Sequence, residues 1–575
     1  MGTSTGSARS RPTIAAETDD TAGAVHREAD RRTKEIHMPL WNLADKSILI
    51  IDDFPEMRSL MRSTVTSFGA GHTEMASNGE DAIGLLASRR FDIVLCDYNL
   101  GEGKDGQQVL EEVSYRGLLP RSTAFVMVTA ENTSQMVMGA LEYQPDAYIA
   151  KPVTRTVLQV RLQKLLAKKD SLRNIYSALD RKQYDRAIAA CEHHLQQGSK
   201  YRFELLKIKS EVLIRTGAYD RAVALCETVL RERDLPWARF DIGRIHYHRQ
   251  EHDRAGEIFS RVIADNNAFV SAYDWLAKTQ ECLGDPVAAQ QTLVRAVEQS
   301  SKSLLRLRAL ATVAEKNQDG TVAEQARRKA IRVGRGSVLR QPSDYTGLAR
   351  ALVGNNAPKD ALKVIDSIKY EFRDDPLAEL EAAAAGCNVH AALGNTELSQ
   401  AALDKAIELA SQSPELASAE LGTELARACL VHGRKEAADE FTRRVVVNNH
   451  DNQAVLDRIT AIYSDAGALA EVNELIDRTR TEIVRINNEG VRLLNDGKIT
   501  ESIALFSEAV KGMPHNPIIN LNAAQSLISM MKDSRPTKSA LEETLSYIRA
   551  ASDSDAHKER QCQLLAECRE LSSCL

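Results

Sequence analysis

Four short apolar runs stand out in the first third of the chain: Ser47-Ile-Leu-Ile-Ile51, Ile93-Val-Leu-Cys96, Phe125-Val-Met-Val128 and Asp146-Ala-Tyr-Ile-Ala150. Stretches with helical spacing separate them. Continuous apolar runs of this length predict strands covered on both faces, as in a parallel sheet wound by helices. Beyond about residue 169 the pattern changes. Every predicted element there is helical, and Gly and Pro punctuate the chain at regular intervals.

The helical part repeats itself. Tyr184-Asp-Arg-Ala187 returns as Tyr219-Asp-Arg-Ala222 and as His252-Asp-Arg-Ala255. The same frame continues through Ala289, Ala323, Ala361, Ser399, Ala437, Ala470 and Ser502. A period of about 34 residues signals two-helix units that bury their apolar faces only by stacking. The chain therefore resembles the tetratricopeptide-repeat family from about residue 171 to 551. Residues 483–516 carry that family's small and apolar positions as Gly490, Ser502, Phe506, Ala509 and Pro514. The resemblance implies about ten helix pairs over 169–575, closed by a capping helix near 556–571, with a concave groove that binds protein.

A chain of 575 residues exceeds one core, and 43% apolar with 27% charged residues is ordinary for a soluble globular protein. No apolar run reaches the ~18 residues of a membrane span, and the opening segment lacks the apolar stretch of a secretory signal. Residues 1–45 read as a disordered segment, rich in Ser, Thr, Arg, Ala and Asp, with Met38 an alternative start. Together these features predict a cytoplasmic protein. The net charge of −6 supplies no general attraction to nucleic acid or membrane. Nine cysteines form no C-x-x-C pair and no zinc spacing. Cys191 and Cys226 occupy equivalent repeat positions, which predicts core packing.

Each apolar run ends in a residue with chemistry: Asp52-Asp53, Asp97, Thr129 and Lys151. In a doubly wound sheet these are the carboxyl ends of strands, where ligands bind. Converging carboxylates repel unless a cation joins them, which implies a hard divalent metal such as Mg²⁺. A Lys and a hydroxyl aimed at the same point suit a transferred phosphoryl group.

Over residues 46–168, the pieces Ile50-Ile-Asp-Asp53, Cys96-Asp-Tyr-Asn-Leu100, Val128-Thr-Ala-Glu131 and Tyr148-Ile-Ala-Lys-Pro152 resemble the receiver domain of two-component response regulators. The resemblance implies a five-stranded α/β doubly wound parallel sheet and a nucleophilic Asp97. Mg²⁺ would be held by Asp52, Asp53, Asp97 and the backbone carbonyl of Asn99. Lys151 would pair with the phosphoryl oxygens, and the bond to Pro152 would be cis. Thr129 would move its hydroxyl onto the phosphoryl group and draw Tyr148 inward from an exposed rotamer. Asn99 and Glu131, two residues beyond the nucleophile and the Thr, would set the phosphoryl lifetime.

One loop departs from that family. Asp97-Tyr-Asn-Leu-Gly-Glu-Gly-Lys-Asp-Gly106 lacks the family's Pro and is one residue longer. It also satisfies G-x-G-x-x-G, but a dinucleotide reading would set Glu102 and Asp105 beside a pyrophosphate, so a loop beside the acceptor is favoured.

From Thr154 to Leu179 an apolar stripe runs without Gly or Pro. It predicts a nearly unbroken helix joining the two regions and able to transmit movement. The basic cluster Arg327, Arg328, Lys329, Arg332, Arg335 and Arg340 raises nucleic-acid binding as a disfavoured option, since no aromatic residues interleave with it for stacking. The leading expectation is a response regulator and not an enzyme acting on external substrates. It would be phosphorylated by a sensor histidine kinase or phosphotransfer protein and would regulate an unidentified protein partner of the repeats. The alternative is a constitutive scaffold whose receiver drives phosphorylation-dependent homodimerisation.

Overall fold

The computed structural model describes residues 43–130, 145–413, 418–534, 536–551 and 557–572. The expected disorder of residues 1–45, apart from its last three residues, and the role of Glu131 lie outside the described residues. Strands β1 (Ser47–Ile51), β2 (His72–Ala76), β3 (Ile93–Asp97), β4 (Ala124–Thr129) and β5 (Ala147–Ala150) form one parallel sheet in the order β2-β1-β3-β4-β5. The reversal of order lies between β1 and β3, where Ile51 is in register with Cys96. The central strands β3 and β4 are buried along their whole length, which is why their sequence is continuously apolar. Strand β2, His-Thr-Glu-Met-Ala, was not picked out by apolar runs. It is an edge strand, half-buried to exposed over most of its length.

Helices α1 (Pro55–Thr66), α2 (Gly79–Ser88), α3 (Gly106–Tyr115) and α4 (Arg155–Ser171) flank the sheet. Asn78 caps α2, a reciprocal Asp105–Gln108 box caps α3, and Thr154 caps α4. Only Leu172 interrupts the path from α4 into the helix Arg173–Asp180, and it is itself buried against Ile175, Tyr176, Cys191 and Leu205. The junction is thus packed rather than linked. Within it Lys169 is buried, donating to the Arg121 carbonyl at 2.7 Å and pairing with Asp146 at 2.7 Å.

From Arg173 onward the described chain is antiparallel helical hairpins. The fourth position of each second helix is the point of closest packing. Ala187, Ala222, Ala255, Ala289, Ala323, Ala361, Ser399 and Ser502 fill it and are fully buried or nearly so. Two assignments of the repeat frame need correction. The buried residues at this position are Ala438 and Val472, fully buried, rather than Ala437 and Ala470. The longer repeat between Ser399 and Ala438 displaced the frame there.

The preceding helix answers with a residue that has little or no side chain. A Cβ on Gly490 would lie 2.2 Å from the Phe506 ring, and one on Gly243 would lie 2.7 Å from that of Phe259. Gly490 itself sits within a single helix, Leu469–Asn495, that serves two successive hairpins. Burial pushes the Cys191 thiol up to about 11 and the Cys226 thiol up to about 12, consistent with core packing. The side chain of Cys568, on the terminal helix Lys558–Ser572, is also buried. Among the described residues no helix is long and apolar enough to cross a membrane.

A carboxyl in the middle of the helical array gives it a pH dependence. Burial first, then the neighbouring Glu424 and Glu420, raise Glu381 from 4.5 to about 7, against the Thr346 hydroxyl and Arg350. Below the unfolded value both states hold the proton and the group costs nothing. As pH rises towards 7 the unfolded chain releases it first, so stability falls, by on the order of 3 kcal/mol once the folded carboxyl ionises. Denaturant midpoints measured between pH 5 and pH 8 should fall with pH, and Glu381→Gln should flatten that slope.

Candidate functional site

Four strand ends bring the predicted residues together. Asp52 and Asp53 follow β1, Asp97 closes β3, Thr129 closes β4 and Lys151 follows β5. One carboxylate oxygen from each of Asp52, Asp53 and Asp97 lies within 4.8 Å of the others. Lys151 Nζ donates to Asp97 Oδ2 at 2.8 Å and to Asp52 Oδ2 at 3.0 Å. The second oxygens are held by the backbone: Tyr98 N–H donates to Asp97 Oδ1 at 2.8 Å, and Phe54 N–H to Asp52 Oδ1 at 2.9 Å. Arg58, which the sequence did not single out, donates from Nη1 to the Asp52 carbonyl at 2.6 Å.

The electrostatics follow from burial with too little positive charge. Burial raises the Asp97 carboxyl above its usual range and Asp52 adds to the rise, against the pull of Lys151 and the Tyr98 N–H. Burial would lower the Lys151 ammonium, but its bonds to Asp97 and Asp52 outweigh it and the net shift is upward. One ammonium faces three carboxylates. Asp53 Oδ1 is buried with no hydrogen-bond partner among the described residues. An orphaned carboxylate oxygen beside two other hard oxygen donors fits Mg²⁺. Asn99 is exposed in the following loop, and its side-chain oxygen accepts from Gly101 N–H at 3.4 Å.

Thr129 is buried, and its carbonyl accepts from Lys151 N–H at 2.7 Å. The Lys151–Pro152 peptide is cis. Tyr148, beside Met127 in the β4–β5 register, is partly buried against the core of the sheet. Its hydroxyl is buried and unpartnered among the described residues, and burial, with nearby Tyr98, raises its pKa. The ring is therefore already turned inward, rather than in the exposed rotamer expected of the resting state.

The glycines of the long loop have structural roles that dispose of the dinucleotide pattern. Gly101 and Gly103 have φ of +72° and +92°, and a Cβ on Gly101 would lie 3.2 Å from Asp53 Oδ2. A Cβ on Gly106 would lie 2.1 Å from the Asp97 carbonyl oxygen, so only glycine allows α3 to start against the end of β3. The basic cluster is not a free stripe either. Arg327 is buried and paired with Glu315, Arg328 pairs with Glu324, and Arg340 pairs with Glu371.

Comparison with known proteins finds relatives for two stretches of the chain. The family described as "Response regulator receiver domain" matches residues 48–163, and "Tetratricopeptide repeat" matches residues 209–269. The chemotaxis protein CheY-3 of Vibrio cholerae is 30% identical over 118 residues, 20% of this chain and 89% of that protein. The chemotaxis protein CheY of Pseudomonas aeruginosa is 31% identical over 118 residues, 20% of this chain and 94% of that one. Among solved structures, Vibrio cholerae CheY4 aligns at 23% identity with a TM-score of 0.20, covering 21% of this chain and 98% of its own.

Proposed function

Because the chain belongs to the receiver family of response regulators and continues into tetratricopeptide repeats, we propose that Asp97 accepts a phosphoryl group and thereby controls protein binding by the repeats. The donor is a phosphohistidine on a sensor histidine kinase or phosphotransfer protein. The observation that carries this reading is Lys151 Nζ bonded to both Asp97 and Asp52 beside the orphaned Asp53 oxygen.

In the transfer an Asp97 carboxylate oxygen forms a bond to phosphorus while the P–N bond to the donor imidazole breaks. The bonding pair leaves on the imidazole nitrogen, which takes up a proton. Lys151 holds the acceptor carboxylate in place beforehand and then has the charge and reach to take a phosphoryl oxygen. Asp52, Asp53, Asp97 and the Asn99 carbonyl are the residues that would hold Mg²⁺, which when bound supplies charge neutralisation at the phosphoryl oxygens. Thr129 closes the neighbouring strand β4, and its hydroxyl would donate to the transferred group. Asn99 and Glu131 would govern access of water to the acyl phosphate. Helix α1 and the residue that precedes it offer the donor a footing, with Phe54 61% and Leu60 54% exposed.

A pull-down from native extract tests the reading, using the full chain with and without Mg²⁺ and beryllofluoride, with Asp97→Asn as control. A protein whose retention changes with beryllofluoride for wild type but not for Asp97→Asn supports phosphorylation-controlled binding. Equal retention in every lane would favour a constitutive scaffold, whose receiver would act through self-association.

A further inference from the structure

The loop that departs from the receiver pattern reaches across to the repeats. Lys104 Nζ donates to the Gly336 carbonyl at 2.6 Å. Gln108 Nε2 donates to the carbonyls of Arg335 at 2.8 Å and Val333 at 3.2 Å. The Ser337 hydroxyl donates to the Glu111 carboxylate, and both residues are buried. Lys302, two residues before the helix Leu304–Lys316, pairs with Asp105 at 3.2 Å and stands 4.8 Å above the centre of the Tyr98 ring. The β3–α3 loop and the amino half of α3 are thus clamped by two segments of the repeats, around residue 302 and 333–337.

The same loop is tied to the acceptor. Tyr98 follows Asp97 directly and donates its N–H to Asp97 Oδ1 at 2.8 Å. The Tyr98 carbonyl accepts from Gly106 N–H at 2.8 Å, and Gly106 leaves no room for a methyl group against the Asp97 backbone. A change in the Asp97 carboxylate therefore passes to Tyr98 and to the start of α3 through contacts that have no slack. Gly336 fits this position because its φ is +83° and a Cβ there would lie 3.0 Å from Gln108 Oε1.

Resting on the reading of Asp97 as phosphoryl acceptor, we propose that the repeats sense its state directly in cis. Lys302 is a positioning residue that holds Tyr98 and Asp105, and with them the acceptor loop, in the unphosphorylated arrangement. An acyl phosphate is a weaker acceptor than a carboxylate for the Tyr98 N–H, so phosphorylation loosens the loop and opens the clamp. By linkage, whatever opens the clamp also favours the phosphorylated form. This route is distinct from the α4 junction and explains what the longer, Pro-free loop is for: it supplies Lys104 and Asp105 to the repeats.

Hydrogen exchange on the full chain, with and without Mg²⁺ and beryllofluoride, tests the opening. Amides in 99–112 and 333–340 should exchange faster with the analogue in wild type and not in Asp97→Asn. Lys302→Gln should bind Mg²⁺ and beryllofluoride at least about fivefold more tightly than wild type, in line with a typical coupling between sites. Lys302→Arg, which keeps the charge, should stay near the wild-type affinity. Gly336→Ala, which strains the turn and crowds Gln108, should match Lys302→Gln. Unchanged exchange with the analogue bound, or wild-type analogue affinity in both loosening variants, would overturn the clamp while leaving Asp97 as acceptor. Failure of wild type to take any label from acetyl phosphate would instead remove the acceptor reading on which the clamp rests.

Discussion

Asp97→Asn should take up no phosphoryl group from acetyl phosphate or from a phosphorylated kinase, yet fold more stably than wild type when Mg²⁺ is chelated. The loss follows from the amide, which is not a nucleophile towards phosphorus under conditions where a carboxylate is. The gain follows from charge. Three carboxylates crowd within 4.8 Å with Lys151 as their bonded ammonium, and burial keeps the acceptor carboxyl raised. Neutralising one of them relieves repulsion worth roughly 0.5–2 kcal/mol, the usual reward for removing strain held for function. Radiolabel incorporation and calorimetry with chelator read the two effects separately. Label retained by Asp97→Asn would place the nucleophile elsewhere, and a lower melting temperature would mean that Lys151 already balances the cluster.

Lys151→Ala carries the second large effect. It removes the ammonium that bonds Asp97 at 2.8 Å and Asp52 at 3.0 Å, leaving buried carboxylates without their partner. Losing one partner of a buried pair costs about 3–5 kcal/mol, so the melting temperature in chelator should fall. Loss of a preorganised group facing the developing charge should slow phosphoryl uptake by about 10²–10³-fold. Added Mg²⁺ should restore much of the stability and little of the rate. Single-turnover labelling beside thermal melts separates these outcomes, and a rate within threefold of wild type would take Lys151 out of the reacting site.

The cluster of Asp52, Asp53, Asp97 and Lys151 was legible because these residues follow or close runs of apolar neighbours. Burial on both faces makes β1, β3 and β4 continuous in hydrophobicity, so the first polar residue after each marks the sheet edge where chemistry occurs. The edge strand β2 lacked that signal. The repeat frame held where a small residue meets an aromatic ring, as at Gly490 against Phe506, and slipped by one residue at Ala438, after a longer repeat, and by two at Val472. The basic cluster looked like a surface stripe because its partners Glu315 and Glu371 come from neighbouring helices, which periodicity within one helix does not pair.

Local pattern thus determined by itself the two architectures, the strands β1, β3, β4 and β5 and the set of residues gathered at their carboxyl ends. Each of these depends on spacing within a few residues, or on a repeat of near-constant length. Tertiary structure alone decided the inward placement of Tyr148, the pairing of the arginines and the contact of Lys302 with Tyr98 and Asp105. The Lys302 contacts join residues some 200 positions apart. Where such residues meet is set by how many helical hairpins stack and how far each one turns, a sum of small packing angles that no local spacing records.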